Sequence, residues 1–154
     1  MRPVLLTRRI PSGPLARLQA ACDLDLYEGP GAIPPDELKR RVAGKHALIC
    51  LLTDRVDGAV IAAAPDLAVV ANVAVGYDNI DVPAATERGV AVCNTPGVLT
   101  ETTADFAFTL LVAAARRVVE GVDYVRAGRW RTWGPTLLLG RDLYKATIGI
   151  VGFG

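Results

Sequence analysis

Short apolar runs alternate along the chain with stretches of helical periodicity. VLLT at 4–7 predicts a strand, and 14–21 predicts a helix with Leu15 and Leu18 on one face. LDLYE at 24–28 alternates apolar and polar side chains with the two-residue period of a strand. Pro34, Pro35, Asp36 and Glu37 make a helix start, with prolines in the first turn and carboxylates facing the positive end of the dipole. That helix is expected to run to about Val42, with Gly44 ending it. ALICLL at 47–52 is a continuous apolar run, as expected of a strand buried on both faces. Asp57 is expected to cap a helix reaching Ala64. LAVVANVAV at 67–75 predicts a fourth strand, 82–88 a helix stopped by Gly89, and VAVCNT at 90–95 a fifth strand.

Five strands alternating with four helices through short loops predict an α/β fold, a doubly wound parallel sheet complete within 4–95. Right-handed crossovers place helices on both faces. This part resembles a flavodoxin-like domain. The rest reads differently. Thr100 is expected to cap one long helix over 101–127, apolar nearly all round at first and amphipathic from Arg116. GRWRTWGPTLLLG at 128–140 has no clear period. ATIGIV at 146–151 predicts a sixth strand, running into Gly152, Phe153 and Gly154.

Composition narrows the function classes. Of the 154 residues 51% are hydrophobic, and 17 basic against 16 acidic residues leave a net charge of +1, which excludes intrinsic disorder. With no basic block longer than a pair, no nucleic-acid partner is expected. The longest apolar helical stretch, 104–115, is short of the ~20 residues of a membrane span, so no membrane partner is expected either. Only Val4, Leu5 and Leu6 follow Met1-Arg2-Pro3 before Arg8 and Arg9, so no signal peptide is expected. Cys22, Cys50 and Cys93 are odd in number, far apart and without a CxxC. They read as small buried hydrophobes in a reducing cytosol, with neither a disulfide nor a metal site, and point to a cytoplasmic protein.

Open parallel sheets bind ligands beyond the carboxyl ends of their strands. The loops there carry Thr7, Arg8 and Arg9; Glu28 and Gly29; Thr53, Asp54 and Arg55; Gly76, Tyr77, Asp78 and Asn79; and Asn94, Thr95, Pro96 and Gly97. In VAVGYDNID at 73–81, a glycine directly after a buried strand lets the N–H groups of Val75 and Gly76 turn outward, where they can hold a carboxylate or phosphate. The alternative is an ordinary turn with Gly76 at positive φ and Asp78 or Asn79 capping the next helix. IVGFG, an apolar strand running into GxG, is how a dinucleotide-binding fingerprint begins. His46, the sole histidine, precedes the third strand at its amino end and reads as a surface residue, so no Ser-His-Asp or Cys-His arrangement exists. Arg8 and Arg9 stand where a phospho-receiver needs acids, and TRRIPSG is a poor match to a flavodoxin phosphate loop. Trp130 and Trp133 suit either a protein–protein contact or burial within the chain.

Together these motifs resemble the D-isomer-specific 2-hydroxyacid dehydrogenase family. Residues 73–111 (VAVGYDNIDVPAATERGVAVCNTPGVLTETTADFAFTLL) resemble its most recognisable stretch. LLTDRVD at 51–57 and GRWRTWGPTLLLGRDL at 128–143 resemble the glyoxylate/hydroxypyruvate reductase branch more than phosphoglycerate or formate dehydrogenases.

The resemblance implies a substrate-binding domain over 1–99. It also implies that 100–154 holds a linker helix, a dimerisation arm and the first strand of an incomplete Rossmann NAD(P)-binding domain. It implies that the Val75 and Gly76 N–H groups bind the substrate carboxylate and that Leu52 and Thr53 line the substrate's side. Asn94 and Thr103 would lie near the nicotinamide of NAD or NADP, and Gly152 and Gly154 would start the pyrophosphate loop. The arm around 119–144 would embrace a second subunit, giving a homodimer. The implied reaction moves a hydride between NAD(P)H and the carbonyl of a small 2-oxo acid, taking glyoxylate to glycolate or hydroxypyruvate to glycerate.

The family's catalytic arginine, glutamate and histidine have no counterpart in this chain, and His46, Arg55 and Glu101 match none of them. The expectation is therefore an N-terminal part that is inactive alone. The competing readings are another 2-hydroxyacid dehydrogenase, of phosphoglycerate or lactate type, and a non-catalytic flavodoxin-like binding module.

Overall fold

A computed structural model describes residues 1–152. The chain divides into two compact units, Met1–Val98 and a second that begins at Leu99.

The first unit contains strands β1 (Pro3–Leu6), β2 (Asp23–Leu26), β3 (Ala47–Cys50), β4 (Val69–Asn72) and β5 (Ala91–Cys93). Between them run helices α1 (Ser12–Ala21), α2 (Pro35–Val42), α3 (Gly58–Ala62) and α4 (Val82–Glu87). The strands pair in the order β2-β1-β3-β4-β5, all parallel. This is the doubly wound, flavodoxin-like order, and its winding reverses between β1 and β3. Leu5, Leu48 and Val70 in the three central strands are fully buried. Leu38 and Val42 reach the same core from α2, four residues apart on one helical face. Val60 and Ile61 of α3 and Ala85 of α4 complete it.

β3 and β4 are shorter than their apolar runs, because the chain turns out of the sheet as soon as its pairing ends. After β3, Asp54 N–H closes a turn on Leu51 O at 3.0 Å. Asp57 caps α3 as expected, accepting from Ala59 N and Val60 N at 3.1 Å. Helix α4 is capped by Asp81, which accepts from Ala84 N at 3.0 Å, and not by Asp78 or Asn79. Gly44 and Gly89 end α2 and α4 with φ of +71° and +68°, the left-handed backbone that favours glycine there. Gly76 is not among the positive-φ glycines.

In the second unit, the long helix expected over 101–127 is two, α5 (Thr100–Ala115) and α6 (Val118–Arg126). Arg117 has φ +55° and breaks the ladder. The Ala115 carbonyl, which an unbroken helix would give to residue 119, instead accepts from Arg141 N at 2.7 Å. Thr100 is the first helical residue and not the cap; Leu99 holds that position with no side-chain bond. The sixth strand expected at 146–151 does not form. A lone extended segment has no neighbour to take its N–H and C=O groups, and among the described residues no strand lies beside it. No described helix is long and apolar enough to cross a membrane.

The three cysteines are free. Cys50 is buried in β3, and burial, with a smaller contribution from the Asp54 charge, pushes its thiol up to about 12. Cys22 is half-buried. Cys93, expected inside, is exposed, because β5 is an edge strand with its first and third side chains facing out. In the native protein a disulfide reagent is expected to titrate Cys93 quickly and Cys50 only once the chain is unfolded. Fast native labelling of Cys50 would contradict this packing.

Asp25 on the edge strand β2 pairs with Arg41, whose guanidinium also lies over the Tyr27 ring, and with Lys45 at 2.9 Å. Burial pushes the Asp25 carboxyl up, but the hydrogen bonds and charges of Arg41 and Lys45 outweigh it and hold the group below the usual carboxylate range. A carboxyl lowered in the folded state stabilises above its unfolded pKa of about 3.9 and loses that contribution as pH falls through the folded value. Asp25→Asn is therefore expected to lower the urea midpoint at pH 7 and to flatten its decline at acid pH. A variant whose midpoint tracks the parent at every pH would contradict the assignment.

Candidate functional site

The carboxyl ends of β1, β3 and β4 meet around buried polar side chains. Thr7, directly after β1, is fully buried, and its hydroxyl donates to Asp54 Oδ2. Asp54 is only 1% exposed; the same oxygen accepts from Leu51 N at 2.9 Å. Asn79 donates to Leu51 O at 3.1 Å and to Asp54 O at 2.9 Å. The Asn72 amide nitrogen, at the end of β4, donates to Asn79 Oδ1 and to Gly76 O, both at 2.9 Å. Val56 and Ile80 bridge the two loops through backbone bonds of 2.9 Å on either side, Val56 N to Asn79 O and Asp81 N to Val56 O.

On this base sit the residues singled out in the sequence. Leu52 and Thr53 are exposed on the turn after β3, and Arg8 Nη2 donates to Thr53 Oγ1 at 3.3 Å. Val75 and Gly76 are exposed on the turn after β4. Among the described residues, neither of their backbone N–H groups donates a hydrogen bond. Asn94, after β5, donates to Val75 O at 2.7 Å, and Thr95 N to Ala74 O at 2.9 Å, so the third loop fastens the second. A Cβ on Gly76 would meet Asp78 Oδ1 at 3.0 Å, a tight contact with the end of one side chain, and the Gly76 φ is not positive.

The pairs do not share one cavity. Leu52 and Thr53 line a cleft of about 570 Å³ together with Arg55, Asp57 and Asn79. Asn94 borders a smaller one of about 190 Å³ with Tyr77, Val82 and Val92. In the second unit Thr103 is exposed on α5, and Gly152 is exposed with φ +79°. Gly154 lies outside the described residues. Trp130 and Trp133 border a cavity of about 710 Å³ with Val118, Val122 and Val125 of α6. His46 is half-buried before β3, its N–H bonded to Pro3 O at 2.8 Å, at the end of the sheet opposite these loops. No cluster of metal-ligating side chains occurs among the described residues.

Asn72 escaped the reading by loops because it lies within the strand pattern. Its signal is a lone amide in the otherwise apolar run LAVVANVAV, a residue that must find partners once buried.

Residues 4–144 match the model of the D-isomer specific 2-hydroxyacid dehydrogenase, catalytic domain. The chain belongs to this family. This chain is 53% identical over 156 residues to a glyoxylate reductase of Korarchaeum cryptofilum, covering 100% of this chain and 47% of that protein. It is 48% identical over 159 residues to a glyoxylate reductase of Thermococcus kodakarensis, covering 100% of this chain and 48% of that one. A crystal structure of a Thermus thermophilus protein superposes with a TM-score of 0.87 at 47% identity, over 92% of this chain and 45% of that one. The chain thus spans about half the length of the curated relatives it matches.

Removing the Asn72 amide leaves Asn79 Oδ1 and Gly76 O without their donor. Asn72→Ala is expected to cost about 1–3 kcal/mol, the penalty for buried polar groups left unsatisfied. Urea denaturation measures this, and a change below about 0.5 kcal/mol, the size of an ordinary surface substitution, would show that the network carries no such load.

Proposed function

We propose that this chain is the substrate-binding part of an NAD(P)H-dependent reductase that takes glyoxylate or hydroxypyruvate to the 2-hydroxy acid. The observation that carries the proposal is that Val75 and Gly76 are exposed at the carboxyl edge of a doubly wound sheet and that, among the described residues, neither of their N–H groups donates a hydrogen bond. Two adjacent amide donors suit a carboxylate, and they need no charged side chain to hold it. The likeness to proteins named glyoxylate reductase supports the substrate class.

In this reading the Val75 and Gly76 amides hold the substrate carboxylate. Leu52 packs against the small organic part of the acid, and the Thr53 hydroxyl, oriented by Arg8, offers a polar contact on the same side. The short side chain of a glyoxylate- or hydroxypyruvate-sized acid suits a wall of one leucine and one threonine. Asn94 and Thr103 lie near the nicotinamide, and Gly152 and Gly154 begin the pyrophosphate loop. Gly152 suits that duty through its φ of +79°, a backbone conformation that favours glycine. NAD or NADP supplies the hydride when bound. No residue of this chain is assigned a proton-transfer role, since His46 stands at the far end of the sheet.

The division of labour is a substrate domain over 1–99 and, over 100–154, a linker helix, an arm and the opening of the coenzyme domain. The arm around 119–144, with Trp130 and Trp133 along the α6 cavity, embraces a second copy in a homodimer. The three free thiols suit a cytoplasmic location.

In the ¹⁵N-labelled chain, oxamate, a 2-oxo carboxylate analogue, is expected to shift the amide resonances of Val75 and Gly76. Gly76→Val is expected to abolish that response and, in the complete enzyme carrying this chain, to raise KM for glyoxylate by about tenfold or more, the loss of about one charge-assisted hydrogen bond. An unchanged KM would remove Gly76 from the carboxylate site.

A further inference from the structure

The two walls of the proposed site, Leu52–Thr53 and Val75–Gly76, lie on different loops, and a carboxylate bound to one and packed on the other requires their separation to be fixed. Most side-chain hydrogen bonds that could fix it come from residues outside the walls. Asp54 Oδ2 holds Leu51 N, the amide just before Leu52, and is itself held by the Thr7 hydroxyl at the end of β1. Asn79, from the other loop, donates to both Leu51 O and Asp54 O. Its own oxygen is held by Asn72, whose second hydrogen goes to the carbonyl of Gly76. The bonds therefore run without a gap from β1, through the turn that carries Leu52, to the glycine of the amide pair. Four of these links end on a backbone group of a wall residue or of its neighbour, and Thr7–Asp54 and Asn72–Asn79 join the side chains that make them.

This arrangement is costly as a device for stability alone. Thr7, Asp54 and Asn72 are at most 2% exposed, and apolar side chains of similar size would bury the same volume without desolvating a carboxylate and an amide. What a bonded polar network supplies and apolar packing does not is a single geometry.

We propose that Asp54 and Asn79 are positioning residues that lock the Leu52–Thr53 wall against the Val75–Gly76 amides, so that the carboxylate site is preformed before a ligand arrives. The proposal rests on the reading of those amides as the carboxylate site. Asp54, 1% exposed, acts through the Leu51 amide, and Asn79, which also borders the Leu52–Thr53 cleft, acts through its bonds to Leu51 O and Asp54 O.

The test is made on the whole 154-residue chain, ¹⁵N-labelled, with two readouts: amide order parameters without ligand at 51–53 and 75–79, and the dissociation constant for oxamate. Asp54→Ala is expected to raise mobility in both loops and weaken oxamate about tenfold, with Asn79→Ala doing the same from the opposite side. Asp54→Asn keeps an acceptor oxygen for Thr7 and Leu51 and is expected to restore both readouts, which a merely structural charge would not do. Mobility confined to 51–54 in Asp54→Ala, with 75–79 unchanged, overturns the proposal, as does unchanged oxamate affinity in both alanine variants. If Asp54→Ala does not fold, Thr7→Val removes one bond from the same carboxylate; a rise in both loops' mobility with about threefold weaker binding supports the lock, and no change overturns it. Failure of wild-type Val75 and Gly76 to respond to oxamate sinks the carboxylate reading by itself, while the order parameters still decide whether the two loops are locked together.

Discussion

Asp54 is a carboxylate almost sealed from water at the point where the winding of the sheet reverses. A parallel sheet must open there, because the crossovers from β1 and β3 leave toward opposite faces. The opening exposes strand-end amides and carbonyls that no longer have sheet partners. Asp54, Thr7, Asn72 and Asn79 take up part of that demand from inside, in bonds of mostly 2.9–3.1 Å. With those groups held from within, the loops above can leave the Val75 and Gly76 N–H groups free for something else. The site is thus a consequence of the parallel topology and of how its polar remainder is divided between core and solvent.

The sheet was legible because its central strands read as apolar runs, although in β3 and β4 buried and half-buried positions alternate and β5 is exposed at two of three. ALICLL and LAVVANVAV marked two strands, each with one face more deeply buried than the other, and Gly44 and Gly89 marked where α2 and α4 had to stop. What the runs concealed is where pairing ends. Leu51 and Leu52 continue the apolar pattern of β3 but have already turned, because Asp54 pulls the Leu51 amide inward. Asn79 had the composition of a helix cap and is instead a tie between two loops. Asp81 is two residues nearer the first free N–H groups of α4 and takes the capping role. Local preference ranks candidates for a cap; distance across the fold decides among them.

In the second unit the same kind of reading failed for a different reason. Periodicity sees no obstacle at Arg116-Arg117, since both residues are good helix formers. The break comes from Arg141, 26 residues after Ala115, which takes a carbonyl the helix would have used, and from the Arg116–Asp142 ion pair beside it. ATIGIV carries a strand's composition without a strand's neighbours, and composition alone cannot supply them. Helix α5 has no buried residue although Phe106, Phe108 and Leu110 are large and apolar. Both features show that an element's identity can depend on contacts that its own segment does not encode.

A carboxylate held by backbone amides places a strong demand on precision. A lysine or arginine can swing to follow an anion, whereas two N–H groups fixed in the backbone cannot, so any error in their placement passes directly to the bound acid. Glycine at position 76 admits the ligand closely but brings no side chain with which to brace its own turn. The bracing has to come from outside the turn: Asn72 holds the Gly76 carbonyl from below, and Asn94 holds that of Val75 from the side. Val75 and Gly76 are thereby each fixed through the carbonyl while, among the described residues, neither N–H donates a hydrogen bond. The peptide plane, once held at its oxygen end, fixes the direction of the next N–H along the chain. For Val75 that next N–H is the one on Gly76, so the Asn94 bond at 2.7 Å aims one of the two donors on which the reading of this site depends.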